Sequence, residues 1–355
     1  MIEAIGLVKK YGDHIAVDHL DFKVEKGQIL GFLGPNGAGK STTMNMLTGY
    51  ISATAGTILV NGYDMLEEPE QAKKSIGYLP EQPPVYPDMT VTEYLRFVTE
   101  LKKVPKKDRE KEMERVMEKA QLKEVRDRLI QHLSKGYRQR VGIAQALVGN
   151  PEVIILDEPT VGLDPAQIIE IRELMRELAK EHTVLLSSHI MQEISAVCDH
   201  IMIISHGRLV LSGTPEELQA QANEGEVLEL SVCGSREQLM QALAGVSGIV
   251  EISGAESEQE DYAAVLIKSG QEIRKEIFSA MVKAGLPIMK LVRHTKTLED
   301  IFLEATTEAP EETLAAEEPE ESPEAEDETQ EAEEPGVPAE EGKEREEETE
   351  HDSDL

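Results

Sequence analysis

Nine consecutive residues carry the first recognisable motif of this sequence, Gly34-Pro35-Asn36-Gly37-Ala38-Gly39-Lys40-Ser41-Thr42. Their spacing matches G-x-x-x-x-G-K-[ST], the phosphate-binding P-loop. Glycines let the backbone approach a phosphate closely, so that successive N–H groups can point at its oxygens. Lys40 can then reach the β- and γ-phosphates of a nucleoside triphosphate, and the Ser41 hydroxyl can bind Mg²⁺. The stretch therefore predicts a nucleotide site in an α/β fold.

The residues on both sides of this loop support the prediction. Residues 28–33 read as a short buried strand that runs into the loop, and residues 41–48 read as a helix that ends at Gly49. A helix that begins near Lys40 directs the positive end of its dipole at the same anion. A glycine-rich turn that binds nothing is the plain alternative, and this strand–loop–helix context disfavours it.

Composition limits the class of protein. The 355 residues allow two or three domains, and 40% of them are hydrophobic, which is enough for a sizeable core. There is no run of about 18 apolar residues that could span a membrane, and the N-terminus lacks the pattern of a signal peptide. The two cysteines, Cys198 and Cys233, favour a reducing compartment and provide neither a disulfide framework nor a metal cluster.

The formal net charge of −33 is concentrated near the C-terminus. Residues 304–355 contain 24 Asp and Glu against 2 Lys and Arg, whereas residues 1–303 contain 45 against 34. We expect residues 304–355 to form a disordered acidic tail, because they cannot bury enough apolar surface to fold. This tail either binds a basic partner or restrains activity, or it only keeps the protein soluble, which the pattern favours. The acidic balance argues against nucleic acid as the main ligand.

A second motif consists of an apolar run that ends in two acids. Residues 153–156 predict a buried parallel strand, and Asp157 and Glu158 stand at its carboxyl end. Ligands of open α/β sheets bind at that edge. Asp157 is therefore a candidate Mg²⁺ ligand, and Glu158 is the candidate general base that activates a water. The alternative is a helix-capping acid, which the P-loop in the same chain disfavours.

Four more polar residues are weaker candidates. His189 follows a predicted strand, residues 183–188, so it falls on the same ligand edge and could contact a γ-phosphate. Ser134 and Asp164 precede predicted helices, where they act as caps or anion contacts. Tyr11 lies in a turn before the P-loop and either stacks on an adenine or has no ligand.

Helical periodicity interrupts the α/β pattern between the two motifs. Residues 91–130 carry apolar side chains at helical spacing, and Thr90 with Glu93 forms a capping-box pattern at their start. Asn61-Gly62 predicts a hairpin turn after a strand. Pro83 and Pro84 predict a stiff loop after a strand in residues 75–80.

The pattern changes again after residue 226. Residues 226–303 predict the order β-α-β-β-α-β, which is the ferredoxin-like arrangement, followed by a short helix at residues 298–305 that Thr297 caps. No catalytic constellation occurs in this stretch, so we expect a small regulatory or dimerising module.

Taken together, the motifs of residues 1–220 resemble the ATP-binding subunit of an ABC transporter. In the family's order, Tyr11 matches the adenine-stacking aromatic, Gly34 to Thr42 match Walker A, Gln82 matches the Q-loop glutamine, Leu133 to Tyr137 match the signature motif, Val153 to Glu158 match Walker B with the catalytic glutamate, Gly162 to Asp164 match the D-loop, and His189 matches the switch histidine. The resemblance implies that Gln82 touches Mg²⁺ or the attacking water and faces the transmembrane partner.

The signature motif departs from the family. The usual Leu-Ser-Gly-Gly-Gln is Leu133-Ser134-Lys135-Gly136-Tyr137 here. Ser134 and Gly136 remain, and the resemblance implies that they meet the γ-phosphate across a dimer. With Arg138-Gln139-Arg140 after it, this form is similar to the gliding-motility-type branch of type-2 exporters, in which a small C-terminal domain is often appended.

The resemblance completes the expected organisation. It implies a P-loop ABC ATPase domain at residues 1–220 with a helical subdomain at about 83–147, a ferredoxin-like accessory domain at 226–303 and the acidic tail at 304–355. It also implies ATP and Mg²⁺ as cofactors, a second ATPase subunit, a separate transmembrane permease, and a peripheral place at the cytoplasmic face of the membrane. The alternatives are a non-transport ABC ATPase that acts on nucleic acid or the ribosome, and a module that binds nucleotide without turnover.

Overall fold

The computed structural model describes residues 1–222, 226–254, 262–294 and 296–307. The strands are β1 (Ile2–Tyr11), β2 (His14–Val24), β3 (Ile29–Leu33), β4 (Ala55–Val60), β5 (Tyr63–Asp64), β6 (Ile76–Leu79), β7 (Val153–Asp157), β8 (Thr183–Ser188), β9 (His200–Ser205), β10 (Arg208–Gly213), β11 (Glu226–Cys233), β12 (Ile249–Gly254), β13 (Tyr262–Ser269) and β14 (Ile288–His294). The helices are α1 (Lys40–Leu47), α2 (Pro69–Lys74), α3 (Val91–Leu101), α4 (Arg109–Lys119), α5 (Lys135–Leu147), α6 (Pro165–Ala179), α7 (Met191–Ser195), α8 (Pro215–Ala222), α9 (Arg236–Leu243), α10 (Arg274–Ala284) and α11 (Leu298–Thr307). None of these helices is long and apolar enough to cross a bilayer.

The central sheet has the order β10-β9-β3-β8-β7-β6 and is parallel except for β10. Its strands are buried on both faces. Ile29 and Leu33 of β3 lie in one hydrophobic core, whereas Leu30 and Phe32 between them lie in another. This double burial explains why the strands appear in the sequence as continuous apolar runs. The carboxyl ends of β3, β7 and β8 are neighbours, which brings the segments after them to one edge of the sheet.

A second, antiparallel sheet of order β2-β1-β4-β5 shares one core with the central sheet and α1. The turn between β4 and β5 has positive φ angles at Asn61 (52°) and Gly62 (86°). Two successive positive φ angles are what a type I′ hairpin turn requires, and Asn-Gly meets that requirement at low steric cost. The predicted hairpin turn is confirmed.

The other core joins the central sheet to the helices α3 to α7. The predicted helical stretch, residues 91–130, contains α3, α4 and a 3₁₀ turn at Lys123–Val125, and a second 3₁₀ turn, Ile130–His132, begins at its end. Thr90 caps α3 in a capping box: Glu93 N–H donates to Thr90 Oγ1 at 3.2 Å, and Thr90 N–H donates to Glu93 Oε2 at 2.8 Å. The short helices α2 and α7 were not predicted.

The C-terminal sheet has the order β12-β13-β11-β14 and is antiparallel throughout, with α9 and α10 packed on its core. This is the predicted ferredoxin-like arrangement. Its register is regular along β11 and β13, where the pairing runs without a shift from Glu226 and Ser269 to Cys233 and Tyr262.

The last helix, α11, differs from the prediction in its end and in its packing. It continues to Thr307, so residues 304–307, which we assigned to the acidic tail, belong to a helix. Leu298, Phe302 and Ala305 pack against the core of the central sheet rather than against the core of the C-terminal sheet. Their spacing places them on one face of a helix. The rest of the predicted tail, from residue 308, lies outside the described residues.

Candidate active site

The P-loop connects β3 to α1 and holds the first helical residue, Lys40, in a buried position. The Lys40 ammonium donates hydrogen bonds to the carbonyl of Gly34 at 2.7 Å and to that of Pro35 at 3.2 Å. Burial lowers the pKa of Lys40, and nearby acids, with Glu158 first, oppose that shift. A buried cation at this position is suited to meet an anionic ligand.

The loop backbone requires glycine at its end. Gly39 has a φ of 101°, and a Cβ there would lie 2.5 Å from the carbonyl oxygen of Ala16. Gly37 has a φ of 82° and faces open space. Both the φ angle and the lack of space favour glycine at position 39, whereas only the φ angle favours it at position 37.

The two predicted acids at the end of β7 are tied to β8. Asp157 Oδ1 accepts a hydrogen bond from Ser187 Oγ at 2.5 Å, and the N–H of Glu158 donates to the same hydroxyl at 3.0 Å. Glu158 has a φ of 49°, a left-handed conformation that is uncommon outside glycine. Strained backbone of this kind concentrates at functional sites.

The carboxylate of Glu158 lies between His189 and Lys40. The Nδ1 atom of His189 is 3.0 Å from both carboxylate oxygens, and Lys40 Nζ is 3.8 Å from Oε1. Burial raises the pKa of Glu158, and the hydrogen bond to His189 opposes that shift. A carboxyl group with a raised pKa, next to a histidine in a cleft, is a candidate for proton transfer.

These residues share one cavity of about 420 Å³, within the ~300–1,000 Å³ typical of ligand pockets. It is lined by Tyr11, His14, Ala16, Asn36, Gly37, Gly39, Lys40, Ser41, Thr42, Glu81, Glu158, Val161 and His189. The structure thus brings Tyr11, most of the P-loop, Glu158 and His189 together. The predicted residues Asp157, Gly34, Pro35 and Ala38 are not part of this lining.

The assignment of Gln82 stays a prediction. Its neighbour Glu81 lines the cavity, whereas Gln82 is exposed and is not part of the lining. Both residues are exposed and lie in a bend of the chain between Pro80 and Pro83.

Sequence reasoning also missed His14, Ala16 and Val161. A signal for His14 existed: Tyr11 and His14 flank the two-residue turn of the β1–β2 hairpin and are cross-strand partners. A residue opposite a predicted adenine-stacking tyrosine falls beside the same ligand.

The predicted signature and D-loop residues lie together, apart from this cavity lining. Ser134 caps α5 by accepting from Tyr137 N–H at 3.3 Å, and Asp164 caps α6 by accepting from Gln167 N–H at 2.9 Å. A Cβ on Gly136 would lie 2.7 Å from the side chain of Gln167, so the two helix starts are packed closely.

The two unusual signature residues have structural roles. The side chain of Tyr137 packs against the core of the central sheet. The ammonium of Lys135 lies where a Cβ on Gly162 would project, which brings the signature segment against the D-loop.

The chemistry of these residues fits ATP and Mg²⁺. A buried ammonium and the P-loop backbone suit phosphates, and a serine hydroxyl with carboxylate oxygens suits a hard cation. Tyr11, 50% exposed at the rim, offers an aromatic face for a base.

Two family models match the chain. One is described as ABC transporter and matches residues 17–161. The other is described as ATP-binding protein DrrA1-3-like, C-terminal domain, and matches residues 213–306.

Similar proteins cover most of the chain. The ABC transporter ATP-binding protein YxlF of Bacillus subtilis (strain 168), itself described as uncharacterized, is 34% identical over 303 residues, which are 85% of this chain and 98% of the relative. The Nod factor export ATP-binding protein I of Ralstonia nicotianae is 33% identical over 302 residues, 85% of this chain and 92% of the relative. A solved ATP binding subunit of an ABC transporter, 31% identical, has a TM-score of 0.57 and covers 62% of this chain and 92% of its own.

Proposed function

The chain belongs to the ATP-binding proteins of ABC transporters, and on that premise we propose that its ATP hydrolysis drives export through a separate transmembrane permease. The observation that carries this proposal is the cavity in which the P-loop, Glu158 and His189 meet. The name of the Ralstonia relative supports export as the direction.

We assign the chemical step to Glu158. Its carboxylate accepts the proton of the attacking water, and the burial that raises its pKa makes it a stronger base. His189, at 3.0 Å, orients that carboxylate and reaches the γ-phosphate. Lys40 and the P-loop backbone bind the β- and γ-phosphates and balance their charge.

We propose that Ser41 and Asp157 hold Mg²⁺, which neutralises charge on the phosphate oxygens when it is bound. Gln82 remains the proposed contact with Mg²⁺ or with the attacking water. Its neighbour Glu81 lines the cavity and offers a hard oxygen ligand with a negative charge. We therefore propose Glu81 as a second candidate for that contact.

We propose that two subunits enclose two ATP molecules. Ser134, Gly136 and Asp164 lie apart from the cavity lining of their own chain. A head-to-tail partner brings these residues against the γ-phosphate, so loss of that phosphate on hydrolysis removes contacts that keep the dimer closed.

The loop after β6 is the proposed contact with the permease. Tyr94 Oη donates to the carbonyl of Pro84 at 3.0 Å, and the ring of Tyr86 lies 5.5 Å from that of Phe97. Beside this loop a groove of about 560 Å³ runs between the central sheet and the helices, with Tyr50 at its rim 81% exposed. An exposed aromatic beside a groove suits a docking helix of the membrane partner at the cytoplasmic face.

The test is recovery of partners from native membranes. We expect the full-length protein, purified from detergent-solubilised membranes, to bring down a protein with several membrane-spanning helices. Recovery of ribosomal or DNA-bound material instead would overturn the transport proposal. Lys40→Ala tests the nucleotide site separately, because its affinity for Mg-ATP should fall at least about tenfold.

A further inference from the structure

We propose that Glu193 is a positioning residue that holds the loops of Glu158 and His189 in register. The proposal rests on the ATPase function proposed above and adds a residue that lies outside the nucleotide cavity. Glu193 belongs to α7, a helix that the sequence did not predict, and it is 8% exposed.

The carboxylate of Glu193 joins two catalytic loops. Thr160 Oγ1 donates a hydrogen bond to Glu193 Oε2, and Ser188 Oγ donates to the same oxygen at 3.3 Å. Thr160 follows Glu158 by two residues, and Ser188 directly precedes His189. One buried oxygen is thus bonded to both chain segments that carry the proposed base and its histidine partner.

The chemistry of this contact favours a positioning role over plain packing. Within the described part of the chain, Glu193 forms no ion pair with a lysine, arginine or histidine. Burial of a carboxylate that is held by hydroxyl groups costs more free energy than burial of an apolar side chain of similar size. An apolar residue would fill the position between Met191 and Ile194 at a lower free-energy cost, but it could not connect the two loops.

The Glu193 contacts hold the two segments whose relative position determines the Glu158–His189 distance. The Glu158–His189 pair is formed across the ends of β7 and β8, and Ser187 already ties the strand ends at Asp157. Glu193 adds a second connection further along both segments, at Ser188, one residue after Ser187, and at Thr160, three residues after Asp157. The side-chain hydrogen bonds that the structure describes for Glu193 go to Thr160 and Ser188 and not to the P-loop, so we expect nucleotide affinity not to depend on it.

The experiment compares three variants in the full-length protein, namely Glu193→Ala, Glu193→Gln and Thr160→Val. We expect Glu193→Ala to lower kcat about 10- to 100-fold, because small displacements of catalytic groups have effects of that size. The Kd for Mg-ATP should stay within about twofold. Glu193→Gln keeps an acceptor oxygen and should recover most of kcat, whereas Thr160→Val, which is similar in volume, should lower it.

Two controls separate positioning from general stability. Glu217→Ala removes a carboxylate that accepts from the N–H of Thr214 at 2.9 Å at the start of α8, and it should leave kcat unchanged. In a His189→Ala background, Glu193→Ala should lower kcat by less than about twofold more, because the pair it positions is already broken.

The outcomes are distinguishable. If the unmodified protein hydrolyses no ATP, the proposed function fails. If it does, and Glu193→Ala and Thr160→Val retain its kcat, only the positioning role is overturned. A parallel loss of Mg-ATP affinity, or the full kcat loss on top of His189→Ala, also overturns the role. Should Glu193→Ala not fold, Glu193→Gln and Thr160→Val decide alone.

Discussion

Two carboxylates, one in each half of the chain, show how differently the two halves use charge. Glu158, beside the P-loop, is buried in left-handed backbone between a lysine and a histidine, and its pKa is raised by that burial. Glu272, before α10 in the C-terminal region, is exposed and bonded to Arg274, whose hydrogen bonds lower its pKa to about 2. The first environment destabilises the charge, and the second stabilises it.

The difference indicates where chemistry is possible. An exposed carboxylate whose charged form is stabilised by a neighbouring arginine contributes little to catalysis or stability. A carboxylate held in an unfavourable environment by the rest of the fold is poised to accept a proton. We therefore expect matched substitutions to affect ATP hydrolysis strongly in the first region and little in the second.

The largest contrast is expected from Glu158→Gln and Glu272→Gln. We expect the first to lower kcat for ATP hydrolysis about 10³-fold, within the ~10²–10⁴ range that general acid–base groups contribute, while Mg-ATP binding is retained. Glu272→Gln should leave kcat unchanged. Phosphate release at saturating Mg-ATP measures both, and undiminished hydrolysis by Glu158→Gln rejects it as the base.

The two cysteines extend the comparison to packing. Cys198 is buried under β3, where a Cβ on Gly31 would lie 2.7 Å from its sulfur, and burial raises the pKa of its thiol. Cys233 is exposed at the end of β11. At pH 8 a thiol reagent should modify Cys198 at least about 100-fold more slowly than Cys233, because reaction requires a thiolate and local opening. Equal rates in the folded protein would contradict the packing of α7 on β3.

The attachment of α11 gives a stability contrast within one helix. Phe302 packs against the core of the central sheet, whereas Leu303 is 58% exposed. We expect Phe302→Ala to lower the free energy of unfolding by about 1–2 kcal/mol, less than the ~3–5 of a fully buried Phe, and Leu303→Ala to change it little. Denaturant unfolding measures both.

Deletion of residues 308–355 is the control that keeps α11 intact. We expect the free energy of unfolding to change little and the kcat for ATP hydrolysis to stay within about twofold of the full chain, because acidic runs are usually solvated. Equal effects of Phe302→Ala and Leu303→Ala would contradict the docking of α11.

The smallest effect concerns the two neighbours in the loop after β6. Glu81→Gln should raise the Mg²⁺ concentration required for half-maximal ATP binding roughly threefold to tenfold, because a charged oxygen ligand is lost. Gln82→Ala is the matched comparison, and we expect a smaller effect from it because Gln82 does not line the cavity. Titration of Mg²⁺ at fixed ATP, followed by nucleotide fluorescence, measures binding without turnover. The reverse ranking would assign the contact to Gln82 instead of Glu81.

Patterns formed by residues close together in the sequence predicted much of the fold and of the candidate site. The P-loop between a buried strand and a helix, the Thr90–Glu93 capping box, the Asn61-Gly62 turn and the β-α-β-β-α-β order each depend on residues close together in sequence. Parallel strands that are buried on both faces leave an unmistakable apolar run, so the edge that joins Asp157, Glu158 and His189 was foreseeable.

The features that the sequence did not predict depend on contacts between distant residues, or on which side chain of a loop faces the cavity. No periodicity tells which of Glu81 and Gln82 faces the cavity, since both lie between prolines. Thr160 and Glu193 are 33 positions apart, and neither belongs to a motif that we recognised. The apolar face of α11 predicts that it packs on something, but the choice between two cores is a tertiary property.

The place of α11 near the end of the chain determines when the core of the central sheet is completed during synthesis. The helix follows the C-terminal sheet in the chain, yet its apolar face belongs to the core of the central sheet, where it lies beside α7, α8 and β9. During translation, the nucleotide-binding region emerges first, and more than 70 further residues must be synthesised before this surface is covered. A ribosome that stalls or terminates before residue 298 therefore releases a chain whose central core retains an open apolar side, which is a substrate for chaperones and proteases.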